Sequence, residues 1–389
     1  MNKKAKTYMA IRIIIFLSII IIPLIFTILK PSDKTIGNEE KVEKPQILSE
    51  GKINKDYYKD LDKYFTNSFN TRNELIKLNA VFKYKAFNMM TGDKVIVGKD
   101  DWLFLKETTS FYTGDKIYTN EILGDMKRNL MAKEKYLKDQ GIELVLTVPP
   151  NKNTIYPEYM PEDIKKAREN GCIQDFFNYM KSNTDLNVID LREALKKEKD
   201  NNQLYCKRDT HWDHYGAYIA YKEIINEINK KIPKYKTSLK DFQIGKSVGK
   251  DKVYDLSSML LIDGYTDDII TYMESKPNYE YVINDENEKI IKTVNKDKTL
   301  PKAVVFRDSF TKPLIPFLSE NFSEVTYYWG TRLDFEDAYF NKQVIEENKP
   351  DVVIVEMVER YMDNMNLYFE WKITSCKWQV MSCKFWGDE

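Results

Sequence analysis

ILGDMKRNLMAKEKYLKDQGIELVLTVPP, residues Ile122 to Pro150, decides the fold class. A helix is predicted from about Ile122 to Gln140, Gly141 is its C-terminal stop, and Ile142 to Val148 is an apolar strand that ends at Pro149-Pro150. A helix that feeds a buried strand is the repeating unit of an α/β sheet. The unit recurs downstream. Cys172 to Ser182 reads as helix and Asn187 to Asp190 as a short strand, while Tyr215 to Lys231 is a helix with apolar residues at Ile219, Tyr221, Ile224, Ile225 and Ile228. Ala303 to Phe306 and Val352 to Val355 are further buried-strand candidates. Short apolar runs alternating with helices predict a mostly parallel sheet flanked by helices.

Working outward, VIVGKDDWLFL from Val95 reads as a hairpin that opens this domain, predicted to span 95–365. Residues 232–299, rich in Lys, Asp, Asn and Tyr, read as an insertion or lid with partial structure around DLSSMLLI. Upstream, 31–94 reads as a polar stalk followed by a helical lead-in from Tyr57 to Met90. Residues 366–389 form a tail of no assigned role, holding Cys376 and Cys383.

Residues 1–30 carry the clearest physical signal. Lys3, Lys4, Lys6 and Arg12 precede an uncharged apolar run, Ile13 to Leu29, near the roughly 17 to 25 residues that span a bilayer. The positive-inside rule keeps the lysines cytoplasmic and sends the body of the chain across the membrane. The run ends in Phe26-Thr27-Ile28-Leu29, without a small-x-small cleavage pattern, so an uncleaved anchor is preferred to a cleaved signal peptide.

Composition narrows the classes further. The chain has 389 residues, 42% of them hydrophobic, which suffices for a full core and argues against disorder. Sixty basic residues balance sixty acidic ones, so no global charge draws the protein to nucleic acid. Four cysteines are too few for a disulfide-built fold, and no metal-ligand CxxC spacing occurs.

Both histidines of the chain lie in Arg208-Asp209-Thr210-His211-Trp212-Asp213-His214. A serine hydroxyl attacks an ester well only when a base takes its proton, and imidazole oriented by a carboxylate does so near neutral pH. Asp209 and His211 supply the carboxylate and base, and Ser309, just after the strand Ala303 to Phe306, supplies the nucleophile. The competing structural reading makes His211 and Trp212 core residues and Ser309 a helix cap. A third reading groups Asp209, His211, Asp213 and His214 as metal ligands, though no distant ligand cluster supports it.

Six separated pieces resemble, in order, the SGNH hydrolase-like family of polysaccharide O-acetylation, the AlgX/AlgJ-like proteins and the Gram-positive DHHW proteins. They are GKDDWLF (Gly98 to Phe104), VPPNKNTIYPEYMP (Val148 to Pro161), RDTHWDHYGAY (Arg208 to Tyr218), DLSSML (Asp255 to Leu260), FRDSF (Phe306 to Phe310) and PDVVIVEMVERYM (Pro350 to Met362). The resemblance implies an SGNH hydrolase-like fold and places the family's Asp-x-His-Trp motif on Asp209, His211 and Trp212 and its late serine on Ser309. It implies that acetyl is received on Ser309 and passed to a glycan hydroxyl, or to water. Arg307-Asp308-Ser309 departs from the Gly-Asp-Ser block of SGNH esterases by carrying arginine for glycine, which bears on oxyanion geometry more than on the nucleophile. Arg332, Asn151, Lys152 and Trp212 are the candidates for substrate or oxyanion contact.

The expected protein is thus a single-pass, outward-facing O-acyltransferase of a cell-surface or secreted polysaccharide, with no metal and no cofactor. Because acetyl-CoA is cytoplasmic, a polytopic membrane acyltransferase is the implied acetyl donor. The alternatives are a carbohydrate O-acetyl esterase, which shares the acyl-enzyme, and a non-catalytic glycan-binding scaffold of an acetylation complex.

Overall fold

A computed structural model describes residues 3–29, 31–32, 41–49, 52–87, 92–233, 239–249, 253–264, 268–273, 276–285, 288–330 and 340–368. These residues fall into two compact units, one drawn from 1–97 and 250–267 and the other from 98–249 and 268–389. Arg332, Cys376 and Cys383 lie outside the described residues.

In the first unit, helix α1 (Lys3–Leu29) contains a stretch, Thr7–Leu29, of mean hydropathy 2.8 that is long and apolar enough to cross a membrane. Helices α2 (Tyr57–Ser68) and α3 (Arg72–Phe87) follow. The DLSSML segment forms a single helical turn, Asp255–Met259. Its two serines, Ser257 and Ser258, donate to the two carboxylate oxygens of Asp263 at 2.5 and 2.7 Å.

The second unit is built on a seven-stranded sheet. Its strands are β1 (Glu143–Val148), β2 (Val188–Asp190), β3 (Tyr279–Asn284), β4 (Ile290–Asn295), β5 (Lys302–Phe306), β6 (Glu324–Tyr328) and β7 (Val352–Glu356). Their spatial order is β2-β1-β7-β5-β6-β4-β3. The joins from β2 to β6 are parallel, while β6–β4 and β4–β3 are antiparallel. The sheet is therefore mixed, mostly parallel as the alternation predicts. Its two antiparallel strands come from within the 232–299 stretch.

Residue alternation sorts the helices onto the faces. Leu144, Leu146 and Val148 of β1, Val304 and Phe306 of β5, and Val353 and Val355 of β7 share one apolar cluster with helices α4 (Asn120–Lys138) and α5 (Cys172–Asn183). From α4 the cluster receives Leu123, Met126, Leu130 and Leu137, and burial of each such side chain stabilises by about 1.5–3 kcal/mol. Helix α6 (His214–Lys231) packs on β1 and β2, with Ile219, Ile224, Ile225 and Ile228 among its buried residues.

Parallel pairing has one consequence for function. The strands β1, β5 and β7 are neighbours and run the same way, so their carboxyl ends open onto one edge of the sheet. Asn151 and Lys152 lie just beyond β1, Ser309 just beyond β5, and Glu359 and Arg360 just beyond β7.

Candidate active site

The segment from Leu204 to Asp213 is a tight loop whose ends are tied together. Asp213 N–H donates to the Leu204 carbonyl at 2.9 Å, and Tyr205 and Trp212 form an isolated antiparallel bridge. Asp213 then caps α6, its Oδ1 accepting Tyr215 N–H at 2.9 Å and Gly216 N–H at 3.0 Å. Gly216 is required by close approach, since a Cβ there would stand 2.5 Å from the Leu204 carbonyl oxygen. Burial pushes the Asp213 carboxyl up to about 6.

Two further devices hold this loop. Leu103 N–H donates to the Lys207 carbonyl at 2.9 Å, joining the loop to the GKDDWLF turn, which is itself closed by Gly98 N–H on the Trp102 carbonyl at 2.7 Å. Lys152, whose ammonium is buried, donates to the carbonyls of Cys206 at 3.1 Å, Lys207 at 2.9 Å and Asp209 at 2.6 Å. The rings of Trp102 and Phe104 lie 5.6 and 5.4 Å from that ammonium.

Asp209 Oδ1 accepts both the backbone N–H of His211 at 3.0 Å and the ring Nδ1–H at 2.6 Å. That bond fixes the tautomer, so Nε2 keeps its lone pair. Nε2 faces Ser309 Oγ at 2.7 Å. The three residues thus form an unbroken carboxylate–imidazole–hydroxyl chain, with the His211 and Asp209 side chains 26% and 19% exposed.

The serine is presented by a turn with buried anchors. Asp308 Oδ1 accepts Phe310 N–H at 2.8 Å, and its Oδ2 accepts Val358 N–H at 2.8 Å. Glu356 Oε2, at the end of β7, accepts Asp308 N–H at 3.0 Å and the Thr311 hydroxyl at 2.6 Å. Burial, followed by the neighbouring Asp308 charge, holds the Glu356 carboxyl well above its ordinary range. Arg307, in the glycine position of the esterase block, is fully buried: it donates to the carbonyls of Asp308 at 3.3 Å and Glu288 at 2.8 Å and stacks over Trp329.

Among the other residues named from sequence, Trp212 is buried and donates Nε1–H to the Phe310 carbonyl at 2.8 Å. Asn151 is buried, with its backbone N–H on Glu359 Oε2 at 2.7 Å, and its side-chain amide makes no hydrogen bond among the described residues. The four residues grouped as metal ligands turn different ways. Asp209 and His211 pair with each other, Asp213 caps α6, and His214 Nδ1 meets the Thr271 carbonyl at 2.8 Å. Sequence reasoning passed over Glu356 and Arg360, although both stand in the PDVVIVEMVERYM segment. A carboxylate that ends an otherwise apolar strand is the signal for Glu356; Arg360, four residues further on, carries no comparable local signal.

The stretch of chain that carries this serine and the Asp-x-His loop lies within the reach of a family model. The SGNH hydrolase-like domain of the acetyltransferase AlgX matches residues 95–359, more than half of the 389-residue chain. The chain belongs to this family. It is similar to the probable alginate O-acetylase AlgJ of Pseudomonas aeruginosa, with 28% identity over 182 residues that cover 45% of this chain and 43% of AlgJ. The chain therefore matches less than half the length of that curated relative. Bacillus cereus PatB1, solved with a sulfonyl adduct, is similar over 71% of this chain and 100% of its own, at TM-score 0.55 and 18% identity. A DHHW family protein from Eubacterium siraeum is similar over 71% of this chain and 95% of its own, at TM-score 0.51 and 16% identity. At such identities the two structures establish the SGNH-like fold.

Proposed function

We propose that the protein is an extracytoplasmic O-acyltransferase, acetyl being the group moved, that acts on a cell-surface or secreted polysaccharide. The observation that carries this reading is the hydrogen-bonded chain from Asp209 through His211 to Ser309. Ser309 Oγ attacks the carbonyl carbon of the donor ester while His211 Nε2 takes its proton, and Asp209 stabilises the imidazolium that forms. The tetrahedral adduct collapses, His211 returns the proton to the departing alcohol or thiol, and acetyl remains on Ser309. A glycan hydroxyl then enters, gives its proton to His211 and takes the acetyl group, which frees Ser309. Asn151, whose buried amide is unspent at the carboxyl edge of β1, is assigned to the acyl oxygen.

The AlgJ likeness supports a polysaccharide acceptor, and the apolar stretch of α1 with its preceding lysines supports an anchored, outward-facing domain. A polytopic membrane acyltransferase then fits as the source of acetyl on the far side of the membrane.

The test is intact mass spectrometry of the full chain in detergent after exposure to p-nitrophenyl acetate, with surface-glycan O-acetyl content measured in cells. Wild type is expected to carry one acetyl adduct that Ser309→Ala and His211→Ala lack, and Ser309→Ala cells to lose glycan acetylation. Normal acetylation in Ser309→Ala cells rejects the transferase. A rise in glycan acetylation in those cells would identify an esterase instead.

A further inference from the structure

Beyond β7 the chain reads Glu359-Arg360-Tyr361, and the neighbouring acid and base have different fates. Glu359 turns inward, where its Oε2 accepts Asn151 N–H at 2.7 Å and the Thr154 hydroxyl at 2.8 Å. It leaves Arg360 uncompensated by its own neighbour. Arg360 lies instead against the serine loop: its guanidinium carbon is 5.2 Å from the Phe310 ring centroid, and the Phe310 ring is 4.9 Å from the ring of His211.

The Arg360 side chain is only 7% exposed. A guanidinium so far withdrawn from water calls for acceptors for its five N–H donors. Among the described residues those in reach are few. Phe310 and Tyr361 offer ring faces at 5.2 Å each, and the Tyr361 hydroxyl offers one oxygen. The nearest carboxylate belongs to Glu107, 3.6 Å from Nε and so beyond hydrogen-bond reach, on a side chain that is 62% exposed. The result is a guanidinium whose ion-pair partner among the described residues, Glu107, is largely exposed and 3.6 Å away, and which lies over the ring of the residue that follows Ser309.

We propose that Arg360 is an anion-binding residue of the acyl-transfer site, receiving a negatively charged oxygen of the ligand held at Ser309. The proposal rests on the acyl-serine reading above. The planar guanidinium suits an anionic oxygen from either of two sources. One is the oxyanion of the tetrahedral adduct on Ser309, and the other is the carboxylate of an acidic sugar in the acceptor.

The experiment uses the full chain in detergent as wild type, Arg360→Gln and Arg360→Lys. The donor is p-nitrophenyl acetate and the acceptors are water, cellotetraose and tetragalacturonate. If the oxygen is the oxyanion, Arg360→Gln lowers kcat with every acceptor, on the order of a hundredfold, with little change in KM. If it is a sugar carboxylate, the KM for tetragalacturonate alone rises by about tenfold or more. Arg360→Lys keeps the charge and the ring stacking without the planar fork, and is expected to lose roughly tenfold in the same parameter. It serves as the variant to read if Arg360→Gln fails to fold, judged by near-UV circular dichroism. A purely structural role predicts no such division between kcat and KM. Wild-type kinetics in a folded Gln or Lys variant, within about twofold across all three acceptors, overturns the proposal. Wild-type turnover that Ser309→Ala fails to abolish sinks the acyl-serine reading, and this proposal with it. Ser309-dependent turnover indifferent to Arg360 sinks this proposal alone.

Discussion

Trp212 Nε1 donates a hydrogen to the carbonyl oxygen of Phe310 at 2.8 Å. Trp212 follows His211 and Phe310 follows Ser309, so this bond runs beside the 2.7 Å contact from imidazole to hydroxyl and ties together the two segments that make it. The two rings also meet edge to face at 5.3 Å.

Trp212→Phe keeps most of that packing and removes the tether, leaving the Phe310 carbonyl buried without its donor. The expected loss is about 1–3 kcal/mol of stability. The acetylation rate of Ser309 should fall even where the variant is fully folded. Thermal unfolding and the p-nitrophenol burst, measured on one preparation, separate the two effects. An unaltered burst rate would show that the tether does not set the geometry.

Lys152 is expected to act on the loop rather than through a ligand, because its three donors meet the carbonyls of Cys206, Lys207 and Asp209. Lys152→Met preserves the stem against Trp102 and Phe104 but strands those oxygens. Destabilisation of about 3 kcal/mol or more follows, with the 204–213 loop loosened. Lys152→Arg should restore little, since a planar fork does not converge on three carbonyls as an ammonium does. Urea midpoints for the three proteins decide the point.

Asp213 makes stability depend on pH in a stated direction. Burial raises its carboxyl from 3.8 to about 6, so between those values the folded chain holds a proton that the unfolded chain has released. The contribution is complete below about pH 4 and is lost as pH rises through about 6, for a total of roughly 3 kcal/mol. Asp213→Asn retains an oxygen for the Tyr215 and Gly216 amides and cannot ionise. Denaturant unfolding of both proteins from about pH 4 to about pH 7 should show wild type losing ground steadily to the variant. A constant gap between the two would rule the effect out.

Local signals in the chain make four of the seven strands, β1, β2, β5 and β7, legible from sequence and leave β3, β4 and β6 unforeseen, while the grouping of Asp209, His211 and Ser309 is what the family resemblance implies. Glu143–Val148 and Val352–Glu356 are buried on both faces, and nearly unbroken apolar runs record that fact. Strand Tyr279–Asn284 leaves no such record, since it lies at the sheet edge with Tyr281, Val282 and Ile283 exposed, in a stretch whose polar composition reads as insertion. Side-chain roles are hidden for a different reason. Lys152 is one residue from Asn151, yet one is spent on carbonyls and the other keeps its amide unspent; only the path of the 204–213 loop distinguishes them. Arg360 gains its meaning from Phe310, a neighbour in space but far off in sequence.

Strand β7 is the last strand of the sheet to be made, yet it sits between β1 and β5. Until Val352–Glu356 leaves the ribosome, the strand that carries Asn151 and the strand that carries Ser309 have nothing to bridge them, and Glu356 is not there to seat the serine turn. Closure of the sheet is therefore a late, long-range event in the life of the chain. A nascent chain ending before Val352 has the strand that carries Ser309 and the strand that carries Asn151 unjoined, and its serine turn lacks both the Glu356 carboxylate and the Val358 amide that hold Asp308.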